Sequence, residues 1–398
     1  MSTRQAAFLI GGRGTRLGDL TKVTPKPLIN VGGRPFLDTL IENAIRFGIR
    51  DIVLLAGYLG DQAVSYYQNW GESRGVHIRC IVEPQEAGTG GALRFAADCL
   101  EEEFYLSNGD SFFDINLLDM PLIEGAPGWL GKIALRQVPD AARYGGISRD
   151  GERITAMAER AAPGPGLING GIYLLRREML NLVQAIPCSI ERDIFPALTK
   201  SGRLFGREYD GYFIDIGVPD DLARAQTDLG ERLRRPAVFL DRDGVINRDF
   251  GYVHTAETFS WFDGAMEAIK SLNDRGYLVF VVTNQAGIAR GFYDERTVRE
   301  LHQWMSRQLA EHGAHIDGFY YCPHHPDGSL PEYTKACDCR KPAPGMLHSA
   351  LRDWSVDVGR SVLIGDKPSD IAAGEAVGVR GLLWQEGLSS KALHHAGI

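Results

Sequence analysis

A chain of 398 residues exceeds the size at which a single hydrophobic core usually stops growing, so two domains are expected. With 44% hydrophobic and 24% charged residues, the composition is that of an ordinary soluble α/β protein and excludes a disordered chain. A net charge of -8 argues against a general nucleic-acid or anionic-membrane binder, because either needs a basic stripe to neutralise phosphates. The opening MSTRQAAFLIGGRG holds an apolar run far shorter than a signal-peptide core, and no later run is long enough to span a bilayer. A cytoplasmic protein acting on small molecules is therefore expected; nothing in the pattern bears on oligomeric state.

From Ala6 to Asp110 short apolar runs alternate with longer amphipathic ones: AAFLI, FLDTLIENAIRFGI, DIVLLAG, DQAVSYYQNW, HIRCIVE, GALRFAADCL and FYLSNGD. This rhythm predicts an α/β fold, a Rossmann-like and mostly parallel sheet with helices on both faces, and places ligands beyond the carboxyl ends of the strands. GGRGTRLG follows the first strand directly. Its Gly11, Gly12 and Gly14 let backbone N–H groups approach phosphates, while Arg13 and Arg16 add charge. The loop is neither a Walker loop, since no GK[ST] follows, nor a dinucleotide GxGxxG. Lys26, stiffened between the prolines of TPKPL, completes a set that with Arg16 can clamp a triphosphate and stabilise departing pyrophosphate. Asp110 ends the run FYLSNGD and Asp215 lies in GYFIDIGVPDDL; both suit Mg²⁺, which phosphoryl chemistry between anions calls for.

The order GGRGTRLG, TPKPL, EPQEAGTGGAL, NGD, AER, NGGIY and DIGVP resembles the sugar-1-phosphate nucleotidyltransferase family from residue 5 to about 228. The resemblance implies a mixed sheet, places Glu159 and Asn169 on the sugar with Gly170 at close approach to it, and sets Gly11, Gly12, Gly88 and Thr89 beside the nucleotide. Where relatives carry FxEK this chain has MAER, so Arg160 keeps the positive charge for the sugar phosphate but offers a longer, forked group. Glu83 lies where the family reads the base; a carboxylate can accept from both N1–H and N2–H₂ of guanine, which tilts the reading towards GTP.

The charged helical stretch DLARAQTDLGERLRR, then Pro236 and a fresh apolar strand, AVFLD, mark a boundary between domains at 1–230 and 236–390. The alternation then restarts through AMEAIKSLNDRG, YLVFVVTNQ, TVRELHQWMSRQLAEHG, DGFYYC, GMLHSALRDW and SVLIGDKPSD, predicting a second parallel sheet. Asp241 and Asp243 end its first strand, two apart and so on one side. Thr283 with Asn284 and Gln285, Lys341 in CRKP, and Asp366 with Asp370 follow at later strand ends. Together they supply a nucleophile, an acid/base, a hydroxyl and a cation for phosphoryl oxygens, and carboxylates for Mg²⁺.

Six cysteines are present, and Cys337 and Cys339 crowd with Cys322 and His324 into CPHHPDGSLPEYTKACDC, two ligand pairs twelve residues apart in a polar loop. Thiolates and an imidazole at that spacing suit a closed, structural Zn²⁺ site, with His325 an alternative to His324. The metal would pre-position Arg340 and Lys341.

This second half resembles the haloacid dehalogenase (HAD) superfamily, a Rossmannoid parallel-sheet fold. DRDGVINRDFGYV, TNQAGIARGFY, CPHHPDG and CDCRKPAPGM resemble the heptose 1,7-bisphosphate 7-phosphatases most, and histidinol phosphatases less. The resemblance implies that Asp241 attacks phosphorus and Asp243 serves as acid and then base. Thr283 and Lys341 would hold the phosphoryl group, and Asp241, the Asp243 carbonyl and Asp366 the Mg²⁺, with Asp370 supporting Lys341 or the metal's outer shell. Asp249, Tyr252, Asn284, Gln285, Arg340 and Lys367 would contact substrate; Ala286 stands where relatives carry serine. Removing the 7-phosphate yields a sugar 1-phosphate, the acceptor the first half needs, so the halves read as successive steps towards an activated heptose. Two alternatives stay open: a hexose-1-phosphate enzyme joined to a histidinol-type phosphatase, and a phosphatase carrying a nucleotide-sugar sensor.

Overall fold

The computed structural model describes residues 3–121, 128–142, 144–158 and 162–398, less the side chain of Ser73. By internal contacts the chain divides into two compact units, Thr3–Glu231 and Arg232–Ile398.

In the first unit β1 (Gln5–Leu9) is followed by α1 (Phe36–Arg46), β2 (Asp51–Ala56), α2 (Gly60–Tyr67), β3 (His77–Val82), α3 (Gly88–Phe95), β4 (Glu103–Asn108) and β5 (Ser111–Phe113). Then come β6 (Gly131–Val138), β7 (Gly146–Asp150), β8 (Arg153–Ala158), β9 (Gly166–Arg176), β10 (Leu204–Glu208), β11 (Phe213–Asp215) and α4 (Pro219–Leu233). Phe36, Leu37, Leu40, Ile41 and Ala44 recur at helical spacing and are buried, which fixes α1 on the sheet. Gly48 at φ 85° ends it, a backbone position that a side chain would strain.

The sheet order is β3-β2-β1-β4-β9-β6-β10-β8-β7. β1, β2, β3 and β4 are parallel, whereas β9 runs antiparallel to β4 and β6, so the sheet is mixed. β2 reads DIVLLA and is buried nearly throughout, as a strand covered on both faces must be. A separate antiparallel ribbon pairs β11 with β5, matching Asp215 to Ser111.

The second unit holds β12 (Ala237–Leu240), α5 (Ala265–Asp274), β13 (Leu278–Asn284), α6 (Glu295–Glu311), β14 (Gly318–Cys322), α7 (Gly345–Asp353), β15 (Val362–Gly365), α8 (Pro368–Glu375) and β16 (Arg380–Leu383). Its five strands are all parallel in the order β14-β13-β12-β15-β16. Successive side chains enter opposite cores: Val238, Leu240, Val279, Val281 and Ile364 face one, Phe239, Phe280, Val282 and Leu363 the other. Each such side chain contributes about 1.5–3 kcal/mol on burial. This holds the strand ends, where the polar motifs begin, on a rigid base. No helix among the described residues is long and apolar enough to cross a membrane.

Candidate functional sites

Beyond β1 the glycine loop turns back at Gly14, whose φ of 61° no β-carbon favours. A β-carbon on Gly11 would lie 2.6 Å from Glu83 Oε1, so glycine there lets the carboxylate approach the loop. Lys26 is buried, its Nζ 2.5 Å from Asp110 Oδ2 and 3.8 Å from Asp215 Oδ1. The ribbon explains the meeting: Ile216 N donates to the Asp110 carbonyl (2.9 Å), clamping β11 beside the end of β4. Burial, and next the charge of Asp110, pushes the Asp215 carboxyl upward. Two carboxylates held together around one ammonium form a set to which a divalent cation is suited.

Lys26 and Asp110 open on a cleft of about 490 Å³ that Gly11, Gly12, Gly14, Glu83, Gly88 and Thr89 also line. Glu83 accepts from Ala87 N through Oε2 (2.9 Å), and burial pushes its carboxyl upward. Tyr58, Asn108 and Glu191 also line the cleft and escaped the sequence reading. Glu191 had no motif to signal it: Thr89 Oγ1, 3.0 Å away and itself accepting from Ile190 N, brings it in from a distant segment.

Three of the expected residues, Arg16, Asn169 and Gly170, are not part of this lining. Arg16 is exposed on the turn Thr15–Leu17, whose buried residue is Leu17, and does not line the cleft; Arg13 does, its guanidinium 5.5 Å from the Tyr58 ring. Gly170 is required by packing, since a β-carbon would come 2.5 Å from the Phe113 ring and 2.8 Å from the Ala134 carbonyl. Neighbouring Asn169 bonds Tyr173 Oη (2.8 Å) and accepts from Gly171 N (2.9 Å), stabilising an irregularity in the β9–β6 pairing outside the cleft lining. Glu159 and Arg160 lie outside the described residues.

In the second unit the predicted groups converge. Lys341, 3% exposed, places Nζ 2.9 Å from Asp241 Oδ1, 2.7 Å from Asp370 Oδ1 and 2.7 Å from the Val282 carbonyl. Burial pushes Asp241 up to about 6, with Lys341 opposing. Carboxylate oxygens of Asp241, Asp366 and Asp370 lie within 4.8 Å of one another. Asp366 Oδ1 is buried with no hydrogen-bond partner among the described residues and burial raises its carboxyl, so this oxygen fits a cation's coordination shell. Asp370 is committed elsewhere, to Lys341 through Oδ1 and to Lys367 N through Oδ2 (2.9 Å), which suits a supporting place.

Asn284 grips the same lysine's backbone, accepting from Lys341 N and donating to its carbonyl, each at 3.1 Å. Gln285 is 1% exposed and donates to Asp243 Oδ2 (3.1 Å) and Thr283 Oγ1 (2.9 Å) while accepting from Tyr293 (2.9 Å), so its amide ties Asp243 to Thr283. Lys367 Nζ stands 3.5 Å from Asp366 and 4.0 Å from Asp249. Tyr252, at φ 54°, accepts a hydrogen bond from Arg290 and packs on Phe292 at 4.8 Å.

Cys322, His324, Cys337 and Cys339 form one cluster. Its sulfurs are 3.2 to 3.5 Å apart and His324 Nδ1 is 3.4 Å from Cys339 Sγ. Sulfurs so spaced are far beyond a disulfide at about 2.05 Å and near the roughly 3.8 Å edge of a Zn–thiolate tetrahedron. His325 is turned away, accepting from Asp327 N through Nδ1 (3.0 Å), so His324 is the ligand candidate. Arg340 Nη1 donates to the His324 carbonyl (3.3 Å), tying the cluster to the segment that carries Lys341.

Behind the site His302, 5% exposed, stacks on Phe319 at 4.4 Å; burial, aided by Arg242, holds its pKa down to about 3. Its folded value lies below the unfolded 6.5, so its contribution to stability is complete above pH 6.5 and is lost as pH falls from there towards 3. His302→Phe should flatten the acid limb of the second unit's unfolding free energy by up to about 1.4 kcal/mol per pH unit, as urea titrations between pH 6 and 4 would measure.

A mixed and a parallel sheet, each with polar groups gathered at strand carboxyl ends, one set around a glycine loop and one around an aspartate–lysine pair, are the arrangement of a nucleotidyltransferase and a HAD phosphatase on one chain. Comparison with known proteins agrees. The Nucleotidyl transferase family matches residues 5–232, and a HAD-hydrolase-like family matches residues 338–397. The D-glycero-beta-D-manno-heptose-1,7-bisphosphate 7-phosphatase of Photorhabdus laumondii is 54% identical over 138 residues, 35% of this chain and 73% of that protein. The enzyme of the same name from Rhodopseudomonas palustris is 49% identical over 152 residues, 38% of this chain and 84% of that protein. HddC from Yersinia pseudotuberculosis, solved in complex with GMP-PN, is 29% identical with a TM-score of 0.50, covering 57% of this chain and all (100%) of HddC. The chain belongs to the Nucleotidyl transferase family, and its second unit to the HAD phosphatases that include these two enzymes.

Proposed function

We propose that this bifunctional enzyme removes the 7-phosphate of D-glycero-D-manno-heptose 1,7-bisphosphate and then transfers GMP from GTP to the resulting heptose 1-phosphate, releasing pyrophosphate. The observation that carries the reading is the Asp241–Lys341–Asp370 cluster in a unit that is 54% identical over 138 residues to a heptose-bisphosphate phosphatase, on the same chain as a Lys26–Asp110–Asp215 cluster in a unit 29% identical to HddC.

In the phosphatase Lys341 and Arg242 N both contact Asp241 Oδ1, which leaves Oδ2 to attack phosphorus. The new bond joins Asp241 to phosphorus as the bond from phosphorus to the C7 oxygen breaks, and Asp243 gives that oxygen its proton. Asp243 then takes a proton from the water that attacks phosphorus, freeing phosphate and regenerating Asp241. Lys341 and Thr283 neutralise the transferring group; Mg²⁺ on Asp241, Asp366 and the Asp243 carbonyl would add charge stabilisation.

In the transferase the glycine loop cradles the triphosphate, with Lys26 and Arg13 offsetting its charge and Glu83 reading guanine. The sugar phosphate oxygen attacks the α-phosphorus as the bond to pyrophosphate breaks; Asp110 and Asp215 would hold Mg²⁺, which would supply charge stabilisation.

Phosphate release from heptose 1,7-bisphosphate against histidinol phosphate tests the sugar assignment. A kcat/KM ratio of at least about 10²-fold for the heptose is expected; preference for histidinol phosphate overturns it. Zn²⁺ in the Cys322–His324–Cys337–Cys339 cluster is tested by Cys339→Ser. Bound zinc by elemental analysis should fall from about one per chain to near zero, and the second unit's melting temperature with it.

A further inference from the structure

Between the two aspartates of the phosphatase motif lies Arg242, whose side chain is fully buried (0% exposed). A guanidinium keeps its charge at any physiological pH, so burying one is costly unless its partners are close and well aligned. Those partners centre on Asp243. Arg242 Nε donates to Oδ1 (3.2 Å), and Nη2 donates to Oδ1 (3.1 Å) and Oδ2 (2.8 Å). The same Nη2 reaches the Val253 carbonyl and, at 3.3 Å, Gln285 Oε1. Asn247 Nδ2 donates to Asp243 Oδ1 (3.0 Å), and Gln285 Nε2 to Oδ2 (3.1 Å). Asp241 instead receives the backbone N–H of Arg242, at 2.8 Å, and the single ammonium of Lys341, at 2.9 Å, rather than a planar fork.

This asymmetry has a chemical meaning. An acid that must protonate a leaving oxygen, then deprotonate a water, has to present its carboxylate in one plane within about 2.6–3.2 Å of each. An aspartate at a strand end has two free torsions, and a planar fork constrains both where a point charge cannot. Taking Asp243 as the acid/base, as proposed above, we infer that Arg242 is a positioning residue that fixes the plane of Asp243 for both proton transfers. Gln285 and Asn247 complete the clamp, and Tyr293 holds Gln285 in turn.

A buried ion pair serving only the fold would also be damaged by mutation, so the test is a double-mutant cycle on the full chain with Mg²⁺ and heptose 1,7-bisphosphate. Arg242→Lys keeps the charge and removes the fork. It should lower kcat for phosphate release about 10²-fold with KM changed less than about threefold, and Asp243→Asn should lower kcat by about 10³-fold or more. In the Asp243→Asn background, Arg242→Lys should cost less than about threefold further. Near-wild-type kcat for Arg242→Lys, or the full loss persisting in the double variant, overturns the inference. Near-wild-type kcat for Asp243→Asn instead overturns the acid/base assignment, and the inference with it. If urea unfolding shows that Arg242→Lys does not fold, Gln285→Leu takes its place in the cycle, with an expected loss of about tenfold that again vanishes beside Asp243→Asn; a loss that persists overturns the inference.

Discussion

Asp241→Asn should abolish phosphate release, by at least about 10⁴-fold, while nucleotidyl transfer by the same chain stays within about twofold of wild type. The neutral amide is nearly isosteric, so the fold has little to accommodate, yet it is a far weaker nucleophile and ends the ion pair with Lys341 at 2.9 Å. Lys341 keeps Asp370 at 2.7 Å, so its charge is not stranded. Phosphate and pyrophosphate assays on one preparation give both numbers. Loss of both activities in a folded variant would mean that the chemistry is not divided between the units as proposed.

Lys26→Met should produce the opposite pattern, lowering pyrophosphate release from GTP and heptose 1-phosphate about 10²- to 10³-fold with phosphate release unchanged. The ammonium lies between Asp110 and Asp215, and no other cation is within ion-pairing distance of them among the described residues. Removing it leaves two crowded carboxylates uncompensated where the proposed function docks a triphosphate. The aspartate side chains are about a third exposed, so solvent moderates the cost to stability. Activity is the sharper readout.

The phosphatase site was legible in the sequence because its groups sit at strand ends in a parallel sheet, where apolar runs stop and polar motifs begin. Asp241, Thr283 and Asp366 each follow or end such a run, and alternation brings them to one edge. The cysteine cluster was legible too, since metal ligands need short pairs, although only the fold separates His324 from His325. Arg242 was hidden for the converse reason: a charged residue inside DRDG looks solvated until the loop closes over it.

The transferase cleft was less legible. Its glycine loop and Lys26 are local, but Asp215 arrives through an antiparallel ribbon and Glu191 through a hydrogen bond from Thr89, both long-range pairings that no periodicity encodes. Gly170 and Arg16 show the complementary case, in which packing against Phe113 or a turn around Leu17 accounts for where a motif residue lies.

A single-vessel reaction tests the central claim most directly: purified chain, Mg²⁺, GTP and heptose 1,7-bisphosphate, with products resolved by mass over time. Phosphate should appear first, then pyrophosphate together with a GDP-heptose, and omitting GTP should leave heptose 1-phosphate to accumulate. Pyrophosphate formed with no prior loss of the 7-phosphate, or heptose 1-phosphate that persists beside every nucleoside triphosphate, would contradict the account.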